Sequence, residues 1–118
     1  MERIMLKSKI HRARVTSAKI DYEGSISIDS ILLNKANILP SEQVWVLNMN
    51  NKERFVTYAI EAKRGSGEIG LNGPAAKLGK KGDEVIILSY ANIDEKHIKK
   101  FKPSIILVDS RNKIRSVK

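Results

Sequence analysis

Short runs of β-branched and apolar residues, separated by turn-forming residues, recur along this chain. Two clear runs, 44–47 and 55–62, are separated by the asparagine-rich stretch 48–52, whose residues tolerate left-handed backbone geometry. Short strands leave unpaired edges unless the sheet closes on itself. The pattern therefore predicts a mainly β protein and favours a small barrel, with a topology that the pattern alone leaves open.

Helices are expected to be few and short. Asp29 has the character of an N-cap for a helix that ends near Ala36, and a second short helix is predicted over 94–101. The residues after 108 are expected to form a basic tail. The predicted strands are 3–8, 12–22, 25–28, 44–47, 55–62, 68–72, 84–90 and 105–108.

Length and composition limit the class of protein. A chain of 118 residues, 30% charged and 42% hydrophobic, is typical of one globular domain with a modest core. The absence of cysteine excludes disulfides, thiolate metal sites and cysteine nucleophiles. No apolar run is long enough to span a bilayer, and the first residues lack the apolar stretch of a signal peptide. We therefore expect no membrane association and a cytoplasmic location.

The formal net charge of +9 has three interpretations. It can mark a nucleic-acid surface, a site for an anionic substrate, or a solvated lysine-rich face. No aromatic residues suited to base stacking accompany the late lysines, which disfavours nucleic-acid binding. No histidine and carboxylate cluster has metal-ligand spacing, so no metal is predicted, and the isolated His97 is interpreted as a surface residue. The late lysines are Lys77, Lys80, Lys81, Lys96, Lys99, Lys100 and Lys102.

The dipeptide Gly24-Ser25 follows a strand-like run and carries possible covalent chemistry. A serine hydroxyl can attack the preceding carbonyl, which converts the amide to an ester. Elimination across the serine Cα–Cβ bond then breaks the chain, and loss of ammonia leaves a pyruvoyl group. That ketone can form a Schiff base with an amino acid and accept electrons, as pyridoxal phosphate does. The alternative for an arbitrary Gly-Ser pair is a plain turn.

Six segments in a fixed order give this dipeptide a context. The segments are MLKSKIHRA at 5–13, YEGS at 22–25, RFVTYAI at 54–60, RGSG at 64–67, NGPAA at 72–76 and GDEVII at 82–87. Their order and spacing resemble the pyruvoyl-dependent aspartate decarboxylases, which make β-alanine for pantothenate synthesis. The resemblance covers roughly the whole chain. It implies a six-stranded double-psi β-barrel, assembled as a homotetramer with sites between subunits. It also implies self-cleavage between Gly24 and Ser25 into 1–24 and 25–118.

The resemblance gives roles to two residues of the run 55–62. Tyr58 matches the residue that donates a proton to the substrate carbanion, a role that suits a phenol because it stays protonated at neutral pH. Thr57 matches a residue that contacts the substrate and helps to position the Gly24 carbonyl for cleavage. The alternative is that Thr57 and Tyr58 have no functional role and occur here because both residue types favour β-strands. Adjacent residues face opposite sides of a strand, so they need not share a pocket unless the strand lies at an edge or between subunits.

Positive charge is needed to bind a dicarboxylate such as L-aspartate. We expect Arg54 to hold the side-chain carboxylate through its two-pronged guanidinium, with Lys9 beside it as a point charge. The departing α-carboxylate should lie in a less strongly paired place. The alternative for both cations is surface charge. His11 and Tyr22 match family positions that line the same site, although His11 is also compatible with a structural role.

By resemblance, Asn72-Gly73-Pro74-Ala75 is the substrate loop; the alternative is a plain turn. The family usually has alanine where this chain has Pro74, which lacks an N–H. The Gly73 carbonyl and the Ala75 N–H remain available, so a stiffer loop and retained activity are expected. The implied cofactor is the pyruvoyl group, without metal or pyridoxal phosphate. A maturation factor, an unprocessed inactive homologue and a nucleic-acid-binding barrel remain open alternatives.

Overall fold

The computed structural model describes residues 1–118, and nine strands join in one hydrogen-bonded sheet. The strands are β1 (Glu2–Arg14), β2 (Ser17–Lys19), β3 (Ser25–Asp29), β4 (Gln43–Asn48), β5 (Arg54–Ala62), β6 (Ile69–Asn72), β7 (Glu84–Asp94), β8 (Ser104–Val108) and β9 (Ile114–Val117). The helices are α1 (Ser30–Ala36) and two 3₁₀ helices, Gly73–Lys77 and Glu95–Lys100. The prediction of a mainly β protein with short helices is confirmed.

The sheet curls because of the way the chain passes from β1 to β2. The strand order is β2-β6-β3-β5-β4-β7-β1-β8-β9, so β2 lies at one end and β1 near the other. Only Val15 and Thr16 connect the two strands. The Val15 N–H donates to the Asp83 carbonyl at 2.8 Å, and the Thr16 N–H donates to the Ile69 carbonyl at 2.8 Å. These bonds bring the two ends of the sheet together around one core.

The core fills the inside of this curled sheet. It contains 20 buried hydrophobic residues, including Ile10, Ile26 and Ile87, all with no exposed surface. Every residue of β3 is buried, because β3 lies between β5 and β6 in the sheet and α1 packs near it. A strand buried in this way is a rigid support for any group that it carries.

Two predictions about the strands are wrong. The predicted break between strands 3–8 and 12–22 does not occur, because β1 runs without interruption from Glu2 to Arg14. The segment 12–22 is also not one strand, because β1 ends at Arg14 and β2 spans only Ser17–Lys19. In β1, Ile10 pairs with Ile87 but Ala13 pairs with Val85, so two residues face one in a β-bulge. Arg12, with φ of 66°, absorbs the extra length.

The basic tail is also ordered. Residues 114–117 form β9, which pairs antiparallel with β8. The Asp109 carboxylate accepts the N–H groups of Arg111 and Lys113 and so closes the turn between the two strands. No helix in the structure has the length and apolar character that a membrane crossing requires.

Candidate functional site

Ser25 begins β3, and its hydroxyl is held on two sides. The residue is only 1% exposed. Its Oγ donates to the Glu23 carbonyl at 3.1 Å and accepts from Asn72 Nδ2 at 3.1 Å. The same Asn72 amide donates to Ser27 Oγ at 2.9 Å. The side chain predicted to be the nucleophile is therefore buried and fixed beside the peptide that precedes it.

The predicted substrate loop packs directly against that peptide. Gly73 has a φ of 62°, and a Cβ placed on it would lie 2.6 Å from the Tyr22 carbonyl oxygen and 2.8 Å from the Gly24 nitrogen. Only glycine allows this approach. Pro74 and the buried Ala75 follow in the 3₁₀ helix that Gly73 begins. The structure thus brings together 22–25 and 72–75, which were predicted as one site.

Strand β5 places Thr57 and Tyr58 on opposite faces. The parallel pairing of β3 with β5 aligns Ile26 with Ala59. Ser25 and Tyr58 each come one residue before this pair in their own strands. Thr57 shares the inward face with Ala59, whereas Tyr58 shares the other face with Arg54. Neither hydroxyl forms a hydrogen bond within the chain. In particular, none joins Thr57 to Gly24.

The predicted carboxylate binders lie on a surface that we call the outer face, formed by the outward side of β5, β4, β7 and β1. The register aligns Trp45 with Leu88 and Leu88 with Lys9 in one row, and Arg54 pairs with Leu47 nearby. Lys9 and Arg54 belong to none of the four ion pairs in the structure. In the sheet order, β5, β4 and β7 lie between β3, which carries Ser25, and β1, which carries Lys9 and His11.

His11 lies at the bulge of β1, and one of its ring nitrogens is unsatisfied. Its Nδ1 is buried without a hydrogen-bond partner. Burial, and then the positive charges of Lys9 and Arg12, lower the pKa of His11 below its ordinary value, which favours the neutral imidazole. Tyr22 has a different environment, because the residue is 56% exposed while its backbone carbonyl lies against Gly73.

Large apolar side chains surround the cations of the outer face. Ile4 is 74% exposed, and Val56 and Tyr90 are each more than 40% exposed. A cavity of about 390 Å³ is lined by Ile4, Trp45, Leu47, Arg54, Leu88 and Tyr90. The outer face thus places the guanidinium of Arg54 among partly exposed apolar side chains.

Sequence reasoning missed one structural support of the site. It identified Asp29 as a helix N-cap, and the carboxylate does accept the Ile31 N–H at 2.9 Å. The same carboxylate also accepts the N–H groups of Gly65 at 3.0 Å and Gly67 at 2.8 Å. It therefore ties the end of β3 to the turn between β5 and β6. We call this set the Asp29 cluster: Asp29, Ile31, Gly65 and Gly67.

The Asp29 cluster has a defined charge state. Burial opposes ionisation of Asp29, but the three backbone N–H donors together outweigh it and hold the pKa of the carboxyl below its usual range. Two of the three donors are the N–H groups of Gly65 and Gly67, both of which have a positive φ, whereas the intervening Ser66 N–H donates to the Lys63 carbonyl. The RGSG turn at 64–67 was visible in the sequence, but the carboxylate that it binds, that of Asp29, lies 36 residues before Gly65.

The site is a buried serine, Ser25, held beside the Gly24 peptide in a mainly β fold. The family described as Aspartate decarboxylase matches residues 1–115. Aspartate 1-decarboxylase of Thermoanaerobacter pseudethanolicus is 57% identical over 113 residues, which cover 96% of this chain and 97% of that protein. Aspartate 1-decarboxylase of Neisseria meningitidis is 53% identical over 117 residues, which cover 99% and 92%. The chain belongs to the aspartate decarboxylase family, and the resemblance found in the sequence is confirmed.

Proposed function

We propose that this protein decarboxylates L-aspartate to β-alanine and CO₂ with a pyruvoyl group made from its own Ser25, and that the product feeds pantothenate and coenzyme A synthesis. Membership of the family and the printed activity of its relatives support the reaction. The observation that carries the proposal is the Ser25 hydroxyl, buried and held between the Glu23 carbonyl and the Asn72 amide.

Self-cleavage is the first step of the proposal. Ser25 Oγ adds to the Gly24 carbonyl carbon, the Gly24–Ser25 C–N bond breaks, and the hydroxyl proton passes to the freed nitrogen. The resulting ester then loses the Ser25 Cα proton and its Cβ–O bond, which releases the Gly24 carboxylate. Hydrolysis of the remaining enamine, after it becomes an imine, frees ammonia. The products are 1–24, ending at Gly24, and 25–118, beginning with the pyruvoyl group.

The residues around Ser25 fit this chemistry. The amide of Asn72 fixes the position of Oγ, and the Glu23 carbonyl accepts a hydrogen bond from the hydroxyl in the resting state. Burial at the start of β3 keeps water from hydrolysing the ester before elimination. The pyruvoyl group, once formed, supplies a sink for the electrons that the departing carboxylate leaves behind. The mechanism uses neither a metal nor pyridoxal phosphate.

The other predicted residues bind and protonate the substrate in this proposal. Arg54 binds the side-chain carboxylate with Lys9 beside it, because both cations are free of ion pairs. Tyr58 donates the proton to the carbon that loses CO₂. Contacts to the substrate come from Thr57 and from Asn72, Gly73, Pro74 and Ala75, with His11 and Tyr22 in support.

Assembly completes the site. We propose a double-psi barrel that forms a homotetramer with sites between subunits, in the cytoplasm. The exposed apolar residues of the outer face support this assembly, since a second copy would cover them. A neighbouring subunit can bring its own Lys9 to the Ser25 of the first.

The test is an intact-mass spectrum of the purified protein under denaturing conditions, followed by an assay for β-alanine. We expect two fragments, 1–24 and 25–118, with a pyruvoyl mass at the start of the larger one. Incubation with L-aspartate should then release β-alanine and CO₂, whereas L-glutamate serves as the control substrate. A chain that stays intact after prolonged warm incubation, both alone and with a cell extract, contradicts the cofactor assignment. Cleavage that occurs only after a cell extract is added would identify a need for a maturation factor.

A further inference from the structure

Pro74 lies against the glycine of the peptide that Ser25 attacks. A Cβ built on Gly24 would lie 3.1 Å from Pro74 Cδ and 3.8 Å from its Cγ. The first distance is shorter than an ordinary carbon contact, so the ring lies beside the Gly24 backbone. Pro74 as a whole is an exposed residue. The contact with Gly24 is therefore made by a proline outside the core.

Gly73, the neighbour of Pro74, also packs against Gly24. A Cβ on Gly73 would lie 2.8 Å from the Gly24 nitrogen and 2.9 Å from its Cα, which places the Gly73 backbone against the same residue. Proline holds its own φ fixed, and it stands near the start of the 3₁₀ helix, where a missing N–H breaks no helical bond. The part of the loop that faces Gly24 is consequently rigid.

A rigid neighbour affects the Gly24 backbone strongly because glycine has the widest conformational freedom of any residue. Conformations that turn the Gly24 carbonyl carbon away from Ser25 Oγ compete with the one that reacts. Restriction to reactive conformations raises the rate of an intramolecular step. We propose that Pro74 is a positioning residue for self-cleavage, whose ring confines Gly24 and so accelerates attack by Ser25. The inference rests on the proposed self-cleavage and deepens it.

The first test follows cleavage of newly made precursor by intact mass. Pro74→Ala should cleave about three- to tenfold more slowly than the wild type, since the ring no longer confines the reacting peptide. Pro40→Ala is the matched control, because it removes the same atoms from another exposed proline outside the site. Thermal midpoints measured in the uncleavable Ser25→Ala background, with and without Pro74→Ala, should agree closely. A fall in rate explained by a fall in stability would overturn the proposal.

Hydroxylamine identifies the step that Pro74 affects. It cleaves the ester formed by the acyl shift, so in its presence the rate of chain breakage reports ester formation alone. Pro74→Ala should remain slower than the wild type under these conditions. If hydroxylamine restores the wild-type rate, the proline acts on elimination and the proposal is wrong.

A double-mutant comparison tests the contact itself. Gly24→Ala should cleave more slowly, partly because its methyl group meets the ring of Pro74. In the Pro74→Ala background that part of the defect is relieved, so the combined slowing should be smaller than the product of the two single effects. Effects that multiply fully contradict the proposal. A wild type that never cleaves defeats the proposed function, whereas a cleaving wild type matched by an equally fast Pro74→Ala defeats only this inference.

Discussion

The surroundings of Ser25 and the outer face differ in how completely one chain satisfies them. Around Ser25, the buried hydroxyl donates to the Glu23 carbonyl and accepts from Asn72, whose amide also donates to Ser27. On the outer face, Lys9 and Arg54 lack ion pairs and stand among exposed apolar side chains. The hydrogen-bonding groups of the first region are satisfied within one chain, whereas the second region presents unpaired cations and exposed apolar side chains.

This difference separates two functions of the protein. The groups proposed for self-cleavage meet in one chain, so cleavage should depend on local geometry around β3. The groups proposed for substrate binding are spread over β5 and β1, with β4 and β7 between them. Substrate binding should therefore depend on assembly. Each substitution below changes one region, and the activity assigned to the other region, either self-cleavage or decarboxylation, is measured for comparison.

The largest effect is expected from Ser25→Ala. This change removes the nucleophile, so both cleavage and β-alanine production should fall to background in the mass spectrum and the product assay. Ser27→Ala is the matched control, because it removes a neighbouring hydroxyl that shares the same Asn72 donor. It should still cleave. An active Ser25→Ala protein would refute the proposed mechanism.

A charge placed on the outer face should affect assembly and leave cleavage in place. Ile4→Glu puts a carboxylate on a residue that is 74% exposed, and its desolvation would oppose contact with another subunit. We expect a smaller particle by light scattering and the loss of most decarboxylation, with fragments 1–24 and 25–118 still formed. Leu39→Glu, at a residue that is 67% exposed and lies outside this face, is the control. An Ile4→Glu protein of unchanged size and activity would show that this face is not an interface.

Arg54→Lys should give a smaller effect on the same face. Lysine keeps the charge but loses the two parallel hydrogen bonds that a guanidinium offers a carboxylate. We expect kcat/KM for L-aspartate to fall roughly 10- to 100-fold, which corresponds to about 1.4 to 2.7 kcal/mol of transition-state stabilisation. Arg111→Lys, at an exposed residue in the β8–β9 turn, should leave kcat/KM unchanged. An unaltered value for Arg54→Lys would remove Arg54 from the substrate site.

The sequence predicted much of the first region because its signals are local. The end of a strand-like run marked Gly24 and Ser25, and the Asn-Gly-Pro stretch marked the turn that meets them. That these two segments touch came from the family resemblance, since strand pairing between Ser25 and Asn72 joins residues 47 apart. Alternation within a strand carries no information about which other strand lies beside it.

The outer face was harder to predict for a physical reason. Val56 and Tyr90 are strand residues whose type fits a core as well as an exposed interface, so pattern does not separate these environments. The bulge at Arg12 and the ordering of β9 also depend on contacts between distant strands. Asp29 shows the same limit, because its role as an N-cap was visible whereas its bonds to Gly65 and Gly67 were not.

The smallest effect that we predict concerns the Asp29 cluster, which supports the Ser25 region from the far end of β3. Asp29→Asn keeps the shape but presents an amide N–H₂ where a carboxylate oxygen accepts the Gly67 N–H. We expect a loss of about 2 kcal/mol in the free energy of unfolding, measured by denaturant titration at neutral pH in the Ser25→Ala background. Asp109→Asn, at a less buried carboxylate that also closes a turn, should lose less.

The pH dependence gives the Asp29 prediction a sign. Because the folded pKa of Asp29 lies below its value of about 3.9 in an unfolded chain, the ionised carboxylate stabilises the folded state fully above that value. This contribution is lost as the pH falls through the folded pKa. The stability difference between the parent and Asp29→Asn should therefore stay constant from neutral pH to about pH 5 and shrink in stronger acid. A difference that does not shrink would mean that packing, and not the charge held by three backbone donors, fixes the end of β3.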